Sequence, residues 1–245
     1  LRCRQYTAAL AIEQSLPIAR QFVFGKLRNC RTLLRRNHTN PPPAVIAELG
    51  RLAEKARTAE SLDSLLGIEG AGARSYFSAF NGMLKPGSAA FDFRGRNRRP
   101  PRDPINALLS LLYAMLVKQA TITAIAVGLD PFLGFYHQPK YGKPALALDL
   151  VEEFRPIIGD SVCLGLINNS MLTDGDFITR AGAVALTQAG RRKVLEAYER
   201  RLDTLIAHPL FGYSISYRRI MEVQARLLSR HLLGEISEYP AFRTR

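Results

Sequence analysis

The sequence predicts an all-α fold, and three of its features carry that prediction. Apolar residues recur at helical spacing in several long segments, as with Ile18, Phe22, Val23, Leu27, Leu33 and Leu34, so they line one face of a helix of about 3.6 residues per turn. No segment has convincing period-two alternation of the kind that marks a half-buried strand. Proline and glycine fall where such helices begin and end: NPPP at 40–43, Pro104 ahead of a long apolar run, and Gly128 at its close.

Taken in order, the first helix is expected from Pro17 to Arg36, with Arg20, Lys26, Arg28, Arg31, Arg35 and Arg36 between its apolar residues. Residues 1–36 hold eight Lys or Arg against one acid, Glu13, which fits a solvated face or contact with phosphates. After the prolines, Ala44–Ala59 reads as a short helix. Ser61 caps the next one, whose stripe of Leu62, Leu65, Leu66, Ile68, Tyr76, Phe77 and Phe80 reaches about Leu84. Gly67, Gly70 and Gly72 interrupt it, each at a cost of about 1 kcal/mol relative to Ala. Three glycines around Glu69 suggest close approach by a backbone or a ligand; a packing notch with Glu69 as a surface charge is the plainer alternative.

Lys85–Pro104 is a loop punctuated by Pro86, Gly87, Gly95, Pro100 and Pro101. Its Arg94, Arg96, Arg98, Arg99 and Arg102, beside Phe91 and Phe93, suit a phosphate clamp or a solubilising linker. The helix from Pro104 to Gly128 carries Asn106 and Tyr113 two turns apart on one face, where apolar neighbours oblige them to find polar partners. Its most apolar run, Ile105–Val117, falls short of the roughly 20 residues of a membrane span, so it reads as a buried helix.

Beyond Pro156 the expectation is an apolar Ile157–Asn168, then a turn-rich Asn169–Asp176. The LTDGDF there lacks the remaining acidic positions of a calcium loop. Phe177–Ala189 is a small apolar segment. Arg191–Ala207 reads as an amphipathic helix stopped by Pro209, and Ile215–Leu233 as the last helix, bearing Arg218, Arg219, Arg226 and Arg230. The chain therefore divides into N-terminal helices (1–84), an arginine-rich loop (85–104) and a helical core (105–245).

A chain of 245 residues with 47% hydrophobic content can bury a sizeable core. It carries 34 Lys and Arg against 21 Asp and Glu, a net charge of +13. That balance favours polyanionic partners, nucleic acid before an anionic membrane. Cys3, Cys30 and Cys163 lack metal-ligand spacing and are odd in number, which indicates neither a zinc site nor a disulfide framework and suits the reducing cytoplasm. No signal peptide is visible, and the start at Leu1 suggests a truncated or processed piece of a longer chain.

The densest chemistry lies in residues 128–156, GLDPFLGFYHQPKYGKPALALDLVEEFRP. If Ala145–Phe154 is helical, Asp149 and Glu152 share a face among Leu146, Leu148, Leu150 and Val151. Buried carboxylates need a pairing partner or a cation. With His137 they could form a mixed oxygen and nitrogen site for Mg²⁺ or Mn²⁺; a capped, solvated turn is the alternative.

Three motifs together resemble the CRISPR-associated integrase family, the metal-dependent proteins that capture spacers in CRISPR adaptation. They are GIEG-x-x-A-x-x-YF at 67–77, NALLS-x-x-Y at 106–113, and GLDP, GF-x-H and GKP ahead of LALDL-x-EEFRP at 128–156. The resemblance covers nearly the whole chain but only the helical half of that family; the small N-terminal β-domain is largely absent. It implies Glu69, His137 and Glu152 as metal ligands, with Asp149 a further ligand or a support behind them. The fourth acidic position, commonly aspartate, is here Glu152. Asn106 and Tyr113 would line the cleft, and Arg74, Arg155, Arg226 and the loop arginines would bind DNA.

The implied reaction is transesterification of a prespacer 3′-OH into the repeat, with hydrolysis by the same centre. Implied partners are DNA, a small ferredoxin-like second adaptation protein and a second copy of the chain, with fusion to a reverse transcriptase known in some members. A catalytically silent DNA-binding scaffold and a stand-alone nuclease for branched DNA are the competing readings.

Overall fold

Two helices, α1 (Arg2–Leu10) and α2 (Ile12–Asn37), open the chain in a computed structural model that describes residues 1–85, 91, 93–97 and 99–244. Ala11 is extended and separates them. Helix α2 runs through Pro17 rather than starting there, with Glu13 in its first turn, where an acid favours the positive end of the helix dipole. Its apolar stripe is buried at Ile18, Phe22, Val23, Leu27, Leu33 and Leu34. The prolines end that helix and start α3 (Pro43–Arg57). Ser61 caps α4 (Leu62–Ser78) by accepting the Ser64 N–H, as its position suggests. Helices α2, α3 and α4 pack on one another, and a 3₁₀ turn, Phe80–Met83, follows.

Helix α5 (Pro104–Val127) is capped by the Asp103 side chain and closed by Gly128 at φ +92. It is 24 residues long with a mean hydropathy of 1.6 over its most apolar window, so length and composition alone would let it cross a bilayer. The apolar run Ile105–Val117 singled out in the sequence is therefore only part of the helix. One face, with Ile105, Leu108, Leu109, Leu112 and Leu116, is buried, and the helix packs against α6 (Ala145–Val151), α7 (Ser161–Asn168) and α9 (Tyr217–Leu232). Between α6 and α7 the backbone turns at 152–154 and continues as a π-helix, Arg155–Asp160, so the expected Ala145–Phe154 helix ends at Val151.

Strands correct the all-α expectation in two places. β1 (Phe177–Arg180) pairs antiparallel with β2 (Ala183–Leu186), and β3 (Leu205–Ala207) with β4 (Ser214–Ser216). Ala181 and Gly182 both take positive φ, at 49 and 74, the turn geometry that suits a two-residue hairpin. Strands of three or four residues are too short to show alternation, and β1 is almost wholly exposed. Helix α8 (Gln188–Asp203), capped by Thr187, consequently ends before β3.

The chain after α9 has no regular structure up to residue 244, yet Tyr239 and Phe242 are buried. The Phe242 ring stacks on Phe154 at 5.6 Å, and Tyr239 meets Phe22 at 5.2 Å. Asn29 of α2 donates to the Phe242 carbonyl and accepts from Thr244 N–H, while Glu153 accepts from Tyr239, Gln224 and Phe242 N–H. The tail is thereby clamped behind the turn that carries Glu152.

Candidate metal centre

Helices α2 and α4 lie close because α4 has no side chain at Gly72: a Cβ there would sit 2.2 Å from Leu27 Cδ2. Gly67 faces open space and Gly70 meets only Arg74. What the glycines provide is the packing notch of the plainer alternative, made by Gly72 against the Leu27 side chain, while Glu69 is no free surface charge but pairs with Lys26. The contact sets Lys26, next to Leu27, opposite Glu69. Lys26 belongs to the buried stripe of α2, on the same face as Phe22, Cys30 and Leu33.

The third element is the loop before α6. A Cβ at Gly134 would come within 2.6 Å of Asp149 Oδ2 and 3.0 Å of the Ala145 carbonyl, so only glycine lets the loop lie on α6. There Phe135 N–H and Tyr136 N–H donate to Asp149 Oδ2 at 2.7 and 3.0 Å. His137 N–H and His137 Nδ1 reach Oδ1, both at 2.8 Å. Four bonds fill the lone-pair sites of one carboxylate. These bonds fix the imidazole so that Nε2 points away from Asp149, toward Glu152 Oε1 at 3.9 Å.

Glu152 is buried at the end of α6. Its Oε2 lies 2.6 Å from Lys26 Nζ, and its Oε1 lies 3.1 Å from an Arg155 guanidinium nitrogen. Lys26 Nζ also donates to Glu69 Oε1, so one ammonium bridges the two carboxylates. Burial alone would raise the Glu152 pKa, but Arg155, Lys26 and His137 together push it down to about 2. Burial would likewise lower Lys26, and Glu152 and Glu69 outweigh it, leaving the ammonium firmly charged. For His137, burial is opposed by the Asp149 hydrogen bond and charge, with a net rise above the ordinary value.

Among the described residues no three His, Cys, Asp or Glu side chains converge at metal-ligand spacing. The two carboxylates converge instead on the Lys26 ammonium, a cation of the protein's own, with the Nε2 edge of His137 alongside. Hard carboxylate oxygens and an imidazole nitrogen are the donor types that Mg²⁺ or Mn²⁺ accepts, so Glu69, Glu152 and His137 match such an ion in chemistry, with the Lys26 ammonium between the two acids.

Around the centre, Tyr113 lies between two guanidinium groups, Arg155 at 5.0 Å and Arg96 at 5.4 Å from its ring centre. Its hydroxyl donates to Asp160 at 2.5 Å, and Tyr76 donates to the other oxygen at 2.7 Å. Burial lifts Asp160 to about 6 despite those bonds and the nearby Arg96 and Arg155. Asn106 does not line a cleft. It is fully buried, accepting from Arg96 and Asn97 N–H and donating to the Gly95 carbonyl and Asp103, and so ties the arginine-rich loop to the start of α5.

Arg74, Arg94 and Arg96 line a cavity of about 540 Å³ with Phe77 and Phe93. Arg99 and Arg102 are exposed further along the loop, and Arg98 lies outside the described residues. Arg226 pairs with Glu222 on α9 and borders a different cavity, beside Phe211 and Tyr213; it is not brought to the centre. Sequence reasoning missed Lys26, Asp160 and Tyr76. For Lys26 a signal existed, a lysine inside an apolar stripe.

Comparison with known proteins places the chain in a family. A family model described as CRISPR associated protein Cas1 matches residues 1–200. A CRISPR-associated exonuclease Cas4/endonuclease Cas1 fusion from Geobacter sulfurreducens is 50% identical over 253 residues, covering 100% of this chain and 45% of that protein. The chain thus spans less than half the length of that relative. Among solved structures, a casposase bound to integration product superposes with a TM-score of 0.88 at 25% identity, over 98% of this chain and 70% of that one. A partial Cas6-RT-Cas1–Cas2 complex gives 0.87 at 26% identity, over 100% and 73%. Three ordered motifs, the centre they build and these likenesses lead to one assignment: the chain belongs to the Cas1 family of CRISPR-associated proteins.

Proposed function

We propose that this chain is the catalytic part of a DNA integrase and endonuclease of CRISPR adaptation, joining prespacer 3′-OH ends to the repeat by transesterification. The observation that carries the proposal is the convergence of Glu69 and Glu152 on one cation beside His137 Nε2, with Asp149 behind the imidazole. Glu69, Glu152 and His137 would hold Mg²⁺ or Mn²⁺. When bound, the ion activates the attacking hydroxyl and stabilises charge at the phosphorus. Asp149 keeps the proton on His137 Nδ1, which would leave the other ring nitrogen free to bind the ion.

Arg155 and Arg96, stacked on Tyr113, present positive charge next to that centre, and guanidinium forks suit phosphate oxygens. The cavity of Arg74, Arg94, Phe77 and Phe93 extends it with a surface for a strand's phosphates and bases.

As partners we infer DNA, a small ferredoxin-like second adaptation protein and a second copy of the chain, working in the cytoplasm. The named Cas1–Cas2 complex supports the adaptation partner. An exonuclease of the Cas4 kind, as in the fusion relative, or a reverse transcriptase is the proposed fused or associated module.

A strand-transfer assay tests the reading, with a short duplex bearing free 3′-OH ends, a supercoiled plasmid carrying the repeat, the second adaptation protein and Mn²⁺. Wild type is expected to give joined product, while Glu69→Gln and His137→Ala lose it and still bind DNA in a gel shift. Product from either variant would sink the proposed centre, and cleavage of branched DNA with no joined product would favour a plain nuclease.

A further inference from the structure

A buried lysine is rare unless it is paired, and Lys26 is paired twice. Its side chain is 11% exposed, between Glu69 at 19% and Glu152 at 2%. The Nζ touches one oxygen of each carboxylate, Glu69 Oε1 and Glu152 Oε2, and so bridges the two acids. A divalent ion bound to those same two oxygens could not share the position, since the Nζ lies 2.6 Å from Glu152 Oε2 and a Mg²⁺ ion needs oxygens at about 2.1 Å with nothing between.

Charge points the same way. Glu69 and Glu152 balance Lys26 and Arg155 within the cluster, so adding a divalent cation with all four in place would leave an excess of positive charge in a low-dielectric site. Arg155 is fixed by Glu152 and by stacking on Tyr113. Lys26 is held by the two carboxylates alone among the described residues, on a flexible four-carbon stem.

We propose that Lys26 is an exchangeable internal cation of this centre: its ammonium holds Glu69 and Glu152 together in the metal-free protein and is displaced when the divalent ion arrives. This rests on the metal-binding reading above. The ammonium spares the protein two facing, uncompensated carboxylates and keeps both aimed at the metal position before metal is present. It also lowers metal affinity, because each ion that enters must first break both ion pairs.

The test titrates Mn²⁺ by calorimetry into chelator-treated wild type, Lys26→Met and Lys26→Gln, the last guarding against a misfolded methionine variant, with folding checked by circular dichroism. The neutral variants are expected to bind Mn²⁺ on the order of tenfold or more tightly than wild type. They should also melt at lower temperature than wild type in chelator and regain that difference with Mn²⁺. A structural role alone would lower the melting temperature with and without metal and would not tighten binding.

A second readout needs no variant: labelling of Lys26 in wild type by a small amine-reactive reagent, read by mass spectrometry, should rise when Mn²⁺ is added. Equal or weaker Mn²⁺ binding by the neutral variants, or labelling unchanged by metal, would overturn the inference and leave the metal site standing. Absence of Mn²⁺ binding by wild type would overturn the metal site itself and the inference with it.

Discussion

Asp160 is buried beneath the two arginines of the site, accepting hydroxyl protons from Tyr76 and Tyr113. Its folded pKa of about 6 lies above the ordinary 3.8, chiefly through burial. The folded protein therefore binds a proton here that the unfolded chain has released. The stability this gives is complete below the ordinary value and is lost as pH rises through about 6. Two units correspond to about 3 kcal/mol at most. Between about pH 4 and pH 7, denaturant melts should show Asp160→Asn gaining on wild type by about 2 to 3 kcal/mol; a constant gap would mean that Asp160 is ionised throughout. This residue was not legible in the sequence, because its partners Tyr76 and Tyr113 lie 84 and 47 positions away. Asp149 and His137 were legible, being 12 residues apart in one motif.

At the level of elements, the loop that carries His137 is seated on α6 by the absence of one side chain. Gly134 faces Asp149 Oδ2 and the Ala145 backbone closely enough that any Cβ collides with both, and the backbone cannot yield as a side chain would. Gly134→Ala is expected to cost about 1 to 3 kcal/mol in thermal or denaturant melts, as overpacking does. It should also weaken Mn²⁺ binding, because Asp149 can no longer hold His137. Unchanged stability and metal affinity would show that the loop does not depend on that seat. Glycines around Glu69 suggested close approach by a backbone or a ligand from sequence, whereas Gly72 makes a packing notch for the Leu27 side chain. The hairpins β1–β2 and β3–β4 gave no such warning, since strands of three or four residues carry too few positions to reveal a period.

Over the whole molecule, the +13 charge favours a polyanionic partner, and under the proposed function its distribution would decide where a strand lies. Arg74 and Arg94 share one cavity wall with Phe77 and Phe93. Replacing both arginines with alanine should reduce the slope of log K against log salt for duplex DNA by about 0.9 for each phosphate no longer neutralised, about 2 in all. The same pair of changes on α9, at Arg226 and Arg230, serves as the comparison. A slope that falls equally for both pairs would mean that charge acts diffusely and the cavity is no strand path.

The sequence by itself determined the helical character, most helix boundaries and the arginine-rich loop, which follow from local rules of periodicity, capping and spacing that act over a turn or two of chain. The three motifs, the first and third of which carry Glu69, His137, Asp149 and Glu152, were legible through their resemblance to a family. Only the tertiary structure decided what meets at the centre. Lys26, Glu69 and Glu152 stand on separate elements and touch only after α2, α4 and α6 pack. The same holds for the buried tail, where Glu153, Asn29 and Gln224 clamp Tyr239 and Phe242. Contacts across such separations depend on which faces are buried together, and a one-dimensional pattern carries each face without its partner.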